Sequence, residues 1–300
     1  MRQWWLGPVC LSAAASIWGG MYVVSKVVLD MIPPWVLLEM RFVIGLLVLG
    51  CWAFLAREWK IALRDLKYMA LIGLVGYTGS IGLQFVGTHL SGASLGALIT
   101  SASPALISVF AWKLLHEKPD LRKGAALIIA TFGVIIVIGY PSESGSSSFM
   151  GNLILFGAAI TWALYTVLSR VQTLKYSSLT VTFWANLFGV IFTFPICWWE
   201  WNAKQVTWPA DGGIWLGILY LGMISTALAF YLWNKGFEYM DASVGSLFFF
   251  CQPIVGTLLG AWLLKEQLTW NFYLGAILIV TGVALSSTAQ TKKEKAKTVA

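Results

Sequence analysis

The chain has 300 residues, of which 58 % are hydrophobic and only 11 % are charged, against about 25 % charged in soluble domains. No soluble core could bury that much apolar surface, so the solvent for most of the chain is lipid, and spans of roughly 20 residues are the unit to look for. The excess of 20 Lys and Arg over 13 Asp and Glu reads as a topology signal, with no nucleic-acid partner implied.

In chain order the hydrophobic runs predict ten spans: 7–29, 34–56, 67–88, 93–115, 121–139, 151–170, 177–199, 212–234, 242–264 and 270–288. The opening "MRQWWLGPVCLSAAASIWGG" has the charge, apolar run and small residues of a signal peptide. Its counterpart in the second half assigns it to the fold instead. With the N-terminus in the cytoplasm, 16 of the 20 Lys and Arg fall on the inner side, among them Arg57, Lys113, Arg170 and Lys235. Lys26, Arg41, Lys204 and Lys265 remain outside. Short-loop cations are retained in the cytoplasm, so both termini are expected there. The tail 289–300, with "KKEKAK", is a basic cytoplasmic segment. Cys10, Cys51, Cys197 and Cys251 lie inside apolar runs without paired spacing and read as small hydrophobes.

The chain repeats itself. An offset of 149 aligns Gly73 to Val134 with Gly222 to Val283 without a gap: "ASLGALITSASPALIS" from Ala93 meets "ASVGSLFFFCQPIVGT" from Ala242, and Glu117 meets Glu266. An offset of 144 brings "AAASIWGG" onto "GAAITWAL", and Trp18 onto Trp162. The expected fold is all-α and integral to the membrane: two five-helix units, 1–140 and 151–288. Because five is odd, the second enters the bilayer inverted, as in secondary transporters that place their site at the midplane between repeats.

Each copy sets a proline at the centre of a span, Pro104 and Pro253. A mid-helix proline would free the carbonyls of Thr100 and Phe249. Those groups either line a wet cavity, with Ser101, Ser103, Cys251 and Gln252 as neighbours, or are re-satisfied by serine hydroxyls in a packing kink. Trp18 and Trp162 lie mid-span, where an indole N–H needs an acceptor. Tyr22, Tyr77, Thr78, Gln84, Tyr165, Thr226 and Tyr231 fall at similar depth. As a set they propose an amphipathic cavity for a small, partly aromatic or zwitterionic solute. The candidate substrate-binding residues are Trp18, Tyr22, Tyr77, Thr78, Gln84, Thr100, Ser101, Trp162, Tyr165, Tyr231, Phe249 and Gln252.

No Asp, Glu or His falls in the middle third of any span, where coupling groups usually sit. Flux is therefore expected to depend weakly on pH. Lys26, Asp30, Glu39 and Arg41 gather near the outer ends of spans one and two, to pair as a gate or to snorkel to the interface. Two histidines, His89 and His116, on opposite faces and without an acidic cluster, argue against an enzyme, a metal site or a cofactor.

With these residues in view, the chain resembles the drug/metabolite transporter superfamily, EamA type. The resemblance runs over nearly all of it and rests on "ASLGALITSASPAL…LLHE" and "ASVGSLFFFCQPIVG…LLKEQLTWNFYLGAILIVTGV". The first unit departs at Ala126, where the second has Gly275. The resemblance implies a basket in which spans 1, 3, 4, 6, 8 and 9 line a central cavity while 5 and 10 support it. It also implies export of small metabolites, often amino acids and in one branch aromatic ones, across a bacterial cytoplasmic membrane. The alternative is a flippase or efflux carrier for lipid-like or drug-like amphipathic solutes. One chain already holds both repeats, so a monomer is expected.

Overall fold

The computed structural model describes residues 5–29, 31–91, 99, 100, 102–118, 120–138, 149–204, 206, 208, 210–264, 270 and 273–285. Among these there is helix and no strand. In chain order the helices are α1 (Leu6–Leu29), α2 (Pro34–Ala56), α3 (Leu66–Ile72, Gly73–Ile81 and Gly82–Ser91 in one rod), α4 (Ser103–Leu115) and α5 (Leu121–Ile138). Then come α6 (Phe149–Thr173), α7 (Ser178–Ala203), α8 (Gly212–Leu219, Tyr220–Leu228 and Ala229–Phe237), α9 (Ala242–Gly245, Ser246–Phe250 and Cys251–Leu264) and α10 (Tyr273–Leu285).

Among the described residues, five stretches are long and apolar enough to cross a membrane: Pro34–Ala56, Leu63–Thr88, Phe149–Thr173, Ser178–Ala203 and Gly212–Phe237. Shorter apolar helices include Leu6–Met21, Ser103–Leu115, Ala242–Gly256 and Tyr273–Leu285. About half of each long span is buried. The other half leaves residues such as Leu47, Phe54, Leu55, Trp198 and Leu216 well exposed, an apolar exterior of the kind that lipid, and not water, covers.

Pro104 occupies the first turn of α4, and Pro253 lies near the middle of α9. Pro253 follows a 3-10 stretch, Ser246–Phe250, as the third residue of the next α-helical segment. In a first turn the missing N–H has no intrahelical partner to lose, so proline costs little there. The Thr100 carbonyl accepts the Ser103 hydroxyl at 2.7 Å, so it is paired within its own turn. Ser101 lies outside the described residues.

Polar residues at helix ends fix how the rods run. Glu200, near the end of α7, accepts from the Trp35 and Val36 amides in the first turn of α2, at 2.7 and 3.3 Å. At the other end the Thr180 hydroxyl donates to the Glu58 carbonyl at 2.7 Å and the Trp184 indole to that of Trp59 at 2.8 Å. α2 and α7 are therefore antiparallel. Glu117, just past α4, accepts from the Ala242 and Ser243 amides at 2.6 and 3.0 Å, so the end of α4 meets the start of α9. α5 and α10 also run antiparallel, since Gly133 lies against Gly275 and Gly282 against Ala126 and Ala130.

α3 and α7 run in the same direction. Their starts are joined by Asp65, which binds Lys175 and accepts the Tyr176 hydroxyl at 2.5 Å. The Asp65 carboxylate beside it holds the Lys175 ammonium above its ordinary range. Both α3 and α8 contain a π-helical stretch, Gly73–Ile81 and Tyr220–Leu228. These occur in equivalent parts of the two copies of the repeat, and π geometry is often found at functional sites.

Candidate functional site

A narrow cavity opens where α1, α3, α6, α8, α9 and the approach to α4 converge. Its walls are Trp18 and Met21 from α1, Ser80, Ile81 and Gln84 from α3, Thr100 and Ser103, Ala158 and Trp162 from α6, Phe230 from α8, and Phe249 and Gln252 from α9. α5 and α10 contribute nothing to it. They pack in a separate apolar cluster with Leu247 and Phe250.

The aromatic side of the cavity is one interlocked group. Trp18 meets Trp162 edge to face at 5.1 Å and Phe230 at 5.4 Å, while Trp162 lies 5.9 Å from Phe249. Edge-to-face pairs at such distances set positive ring edges against negative faces and hold the rings in place. The Trp18 indole N–H donates to the Ser225 carbonyl in the π stretch of α8, at 3.0 Å. The Ser80 hydroxyl donates to the Ala158 carbonyl at 3.1 Å, tying α3 to α6. Close backbone approach makes room for this: a Cβ on Gly19 would lie 2.7 Å from the Gln252 carbonyl oxygen.

Two wall groups are buried without a hydrogen-bond partner among the described residues, the Trp162 indole N–H and the Gln252 side-chain oxygen. A buried unpaired donor or acceptor costs about 1–3 kcal/mol. One donor and one acceptor held against aromatic faces suit a small solute that carries both kinds of group. The cavity itself measures about 30 Å³, room for about two waters. A larger solute fits only when the walls part.

Of the sequence candidates, Trp18, Gln84, Thr100, Trp162, Phe249 and Gln252 share this cavity. Tyr77 and Tyr165 stand behind it, fully buried, with Tyr77 stacked on Phe230 at 4.5 Å and the Tyr165 hydroxyl accepting from Asn234 at 3.3 Å. Thr78 faces α7, bonding the Gly189 carbonyl at 3.2 Å and the Thr193 hydroxyl at 2.9 Å. Tyr231 points away and packs on Trp52 at 4.4 Å. The Tyr22 side chain and Ser101 lie outside the described residues, as do the side chains of Lys26, Asp30 and His89. Glu39 and Arg41 take part in none of the ion pairs among the described residues. Arg41 does not snorkel; it is fully buried.

Met21, Ser80, Ile81, Ser103, Ala158 and Phe230 are wall residues that were not among the candidates. The repeat held the signal for three of them. The 149-residue offset pairs Ile81 with Phe230, Thr100 with Phe249 and Ser103 with Gln252, and the 144-residue offset pairs Trp18 with Trp162. All eight line the cavity.

The description of the EamA-like transporter family matches residues 5–139 and again 149–288. The chain belongs to that family. It is thus a member of the drug/metabolite transporter superfamily and of a membrane transporter family, not an enzyme. Among EamA-like relatives, the uncharacterized transporter YetK of Bacillus subtilis is 28 % identical over 282 residues, covering 92 % of this chain and 84 % of its own. YvbV of the same organism is 28 % identical over 284 residues, 94 % of this chain and 92 % of its own. An uncharacterized transporter of Archaeoglobus fulgidus is 23 % identical over 287 residues, covering 93 % and 96 %. One crystal structure superposes with a TM-score of 0.79 over 96 % of this chain and 98 % of its own, at 22 % identity. At that identity the likeness speaks for the EamA-like fold alone.

Proposed function

We propose that the protein is a ten-span carrier of two inverted repeats that exports small metabolites, amino acids and aromatic ones among them, across a bacterial cytoplasmic membrane with both termini inside. The observation that carries this reading is the composition of the cavity wall. Four pairs of residues related by the sequence repeat are among those that line it, and they belong to both halves of the chain. The antiparallel run of α2 with α7 and of α5 with α10, equivalent helices in the two halves, supports the inversion. A site shared by two inverted halves is the arrangement that alternating access needs.

An aromatic box with one free donor and one free acceptor supports amino-acid-like solutes. A solute ammonium donates to the Gln252 oxygen, and an acceptor on the solute takes the Trp162 N–H. The test is counterflow in liposomes holding the purified protein and labelled phenylalanine, tryptophan, threonine or cysteine, with unlabelled solutes outside. Exchange of any amino acid is the expected outcome. No exchange of the four, together with exchange of drug-like or lipid-like amphiphiles, overturns the amino-acid reading. No carboxylate or histidine is among the described residues that line the cavity, so exchange rates between about pH 6 and 8 should change less than the tenfold per unit that one titrating coupling group imposes. A steep profile abolished by one wall substitution contradicts this.

A further inference from the structure

Arg41 lies about two turns into α2 and is fully buried. Its Nε–H donates to the Thr226 hydroxyl at 2.9 Å, one terminal nitrogen to the Ser225 hydroxyl at 3.4 Å and the other to the Met21 sulfur at 3.3 Å. A guanidinium has five N–H donors, and a thioether is a weak acceptor. All three partners are neutral. Among the described residues the ion pairs are Lys123–Asp241, Lys175–Asp65, Lys204–Glu200 and Lys235–Glu238, so no carboxylate there meets Arg41. A buried charge without a counter-ion is costly at membrane depth, and neutral hydroxyls only partly offset it.

The guanidinium is also one side chain from the cavity. Met21, which accepts from it, is a wall residue. Trp18, another wall residue, donates to the carbonyl of Ser225, whose hydroxyl Arg41 also uses. Methionine is unbranched and flexible, so the group that stands between the guanidinium and the cavity is a movable one.

We propose that Arg41 is the docking group for a carboxylate on the transported solute, reached when the Met21 side chain swings aside. The solutes so recognised are those with a carboxylate joined to an aromatic or apolar body. The planar fork takes the carboxylate bidentately, and Trp18, Trp162 and Phe249 take the body. This deepens the reading above and rests on the cavity being the transport site.

The test is binding to purified full-length protein, read by tryptophan fluorescence, with three probes: phenylalanine, phenylacetate and phenethylamine. The expected result is a saturable response to the two carboxylates and none to the amine. Arg41→Gln should weaken carboxylate binding roughly 10- to 100-fold. Arg41→Lys, which keeps the charge but loses the fork, should weaken it less. Equal binding of phenethylamine, no response to either carboxylate, or unchanged carboxylate affinity in Arg41→Gln each overturns the proposal. Should that variant fail to fold, the three probes on the unaltered protein still decide. Counterflow separates this failure from failure of the carrier reading. Exchange of amines without preference for a carboxylate keeps the carrier and removes Arg41. Phenylacetate binding without exchange of any solute keeps Arg41 and removes the carrier.

Discussion

Trp162 and Gln252 have polar atoms that the protein buries and leaves unbonded among the described residues, which makes them the sharpest test of the wall. Trp162→Phe keeps an aromatic face and deletes the free N–H. It should lower counterflow about tenfold, the worth of one hydrogen bond of roughly 1.4 kcal/mol, with an unchanged yield of folded protein. Gln252→Leu should do the same from the acceptor side. Unchanged flux in both variants removes them from the site. At this scale the sequence was partly readable. A tryptophan at mid-span announces itself by depth, because an indole there must find an acceptor or a ligand. Which side of a helix a tyrosine takes is decided by neighbours, however. Phe230 faces the cavity while adjacent Tyr231 turns to Trp52, and depth alone cannot separate two consecutive residues.

Among the elements, α9 is held most visibly from outside itself. Its first turn is capped by the Glu117 carboxylate, which also accepts the Ser243 hydroxyl at 2.5 Å, while Lys123 donates to that same hydroxyl at 2.9 Å. A carboxylate at a helix start satisfies amide donors and complements the helix dipole. Glu117→Ala should therefore cost about 1–2 kcal/mol, read as a lower unfolding temperature in detergent, and Glu117→Gln should cost less. Equal unfolding temperatures for all three proteins would show that the cap is idle. Glu117 was legible as a repeated letter, paired with Glu266, but its partner was not: a cap that crosses between halves joins residues 125 apart in the chain. The π stretches of α3 and α8 were equally hidden. Nothing in composition separates a five-residue hydrogen-bond step from a four-residue one. A proline in an apolar run marks either a kink or a new first turn, and only the tertiary fold chooses.

For the whole molecule, the repeat was the most informative feature of the sequence, because one offset relates wall residue to wall residue of the cavity. Loop cations, which sit at span ends, supplied the expected orientation. That orientation is open to direct test. In a background with Cys10, Cys51, Cys197 and Cys251 replaced, a cysteine at exposed Arg57 should react with an impermeant thiol reagent only after the cells are opened. One at exposed Lys204 should react in intact cells. The same labelling from the same side at both positions would refute the inverted arrangement.

The tryptophans in and beside the cavity have a further consequence. Trp18, Trp162 and Trp233 lie 5.1 to 6.0 Å apart, drawn from α1, α6 and α8, close enough for their electronic transitions to couple. The cavity as it stands is too small for an amino acid, so its walls part when one enters, and Trp18 and Trp162 are two of those walls. The protein therefore carries an optical gauge of its own cycle. The coupled indole signal in circular dichroism should shrink when solute binds, and Trp18→Phe should abolish the change while leaving the helical signal intact.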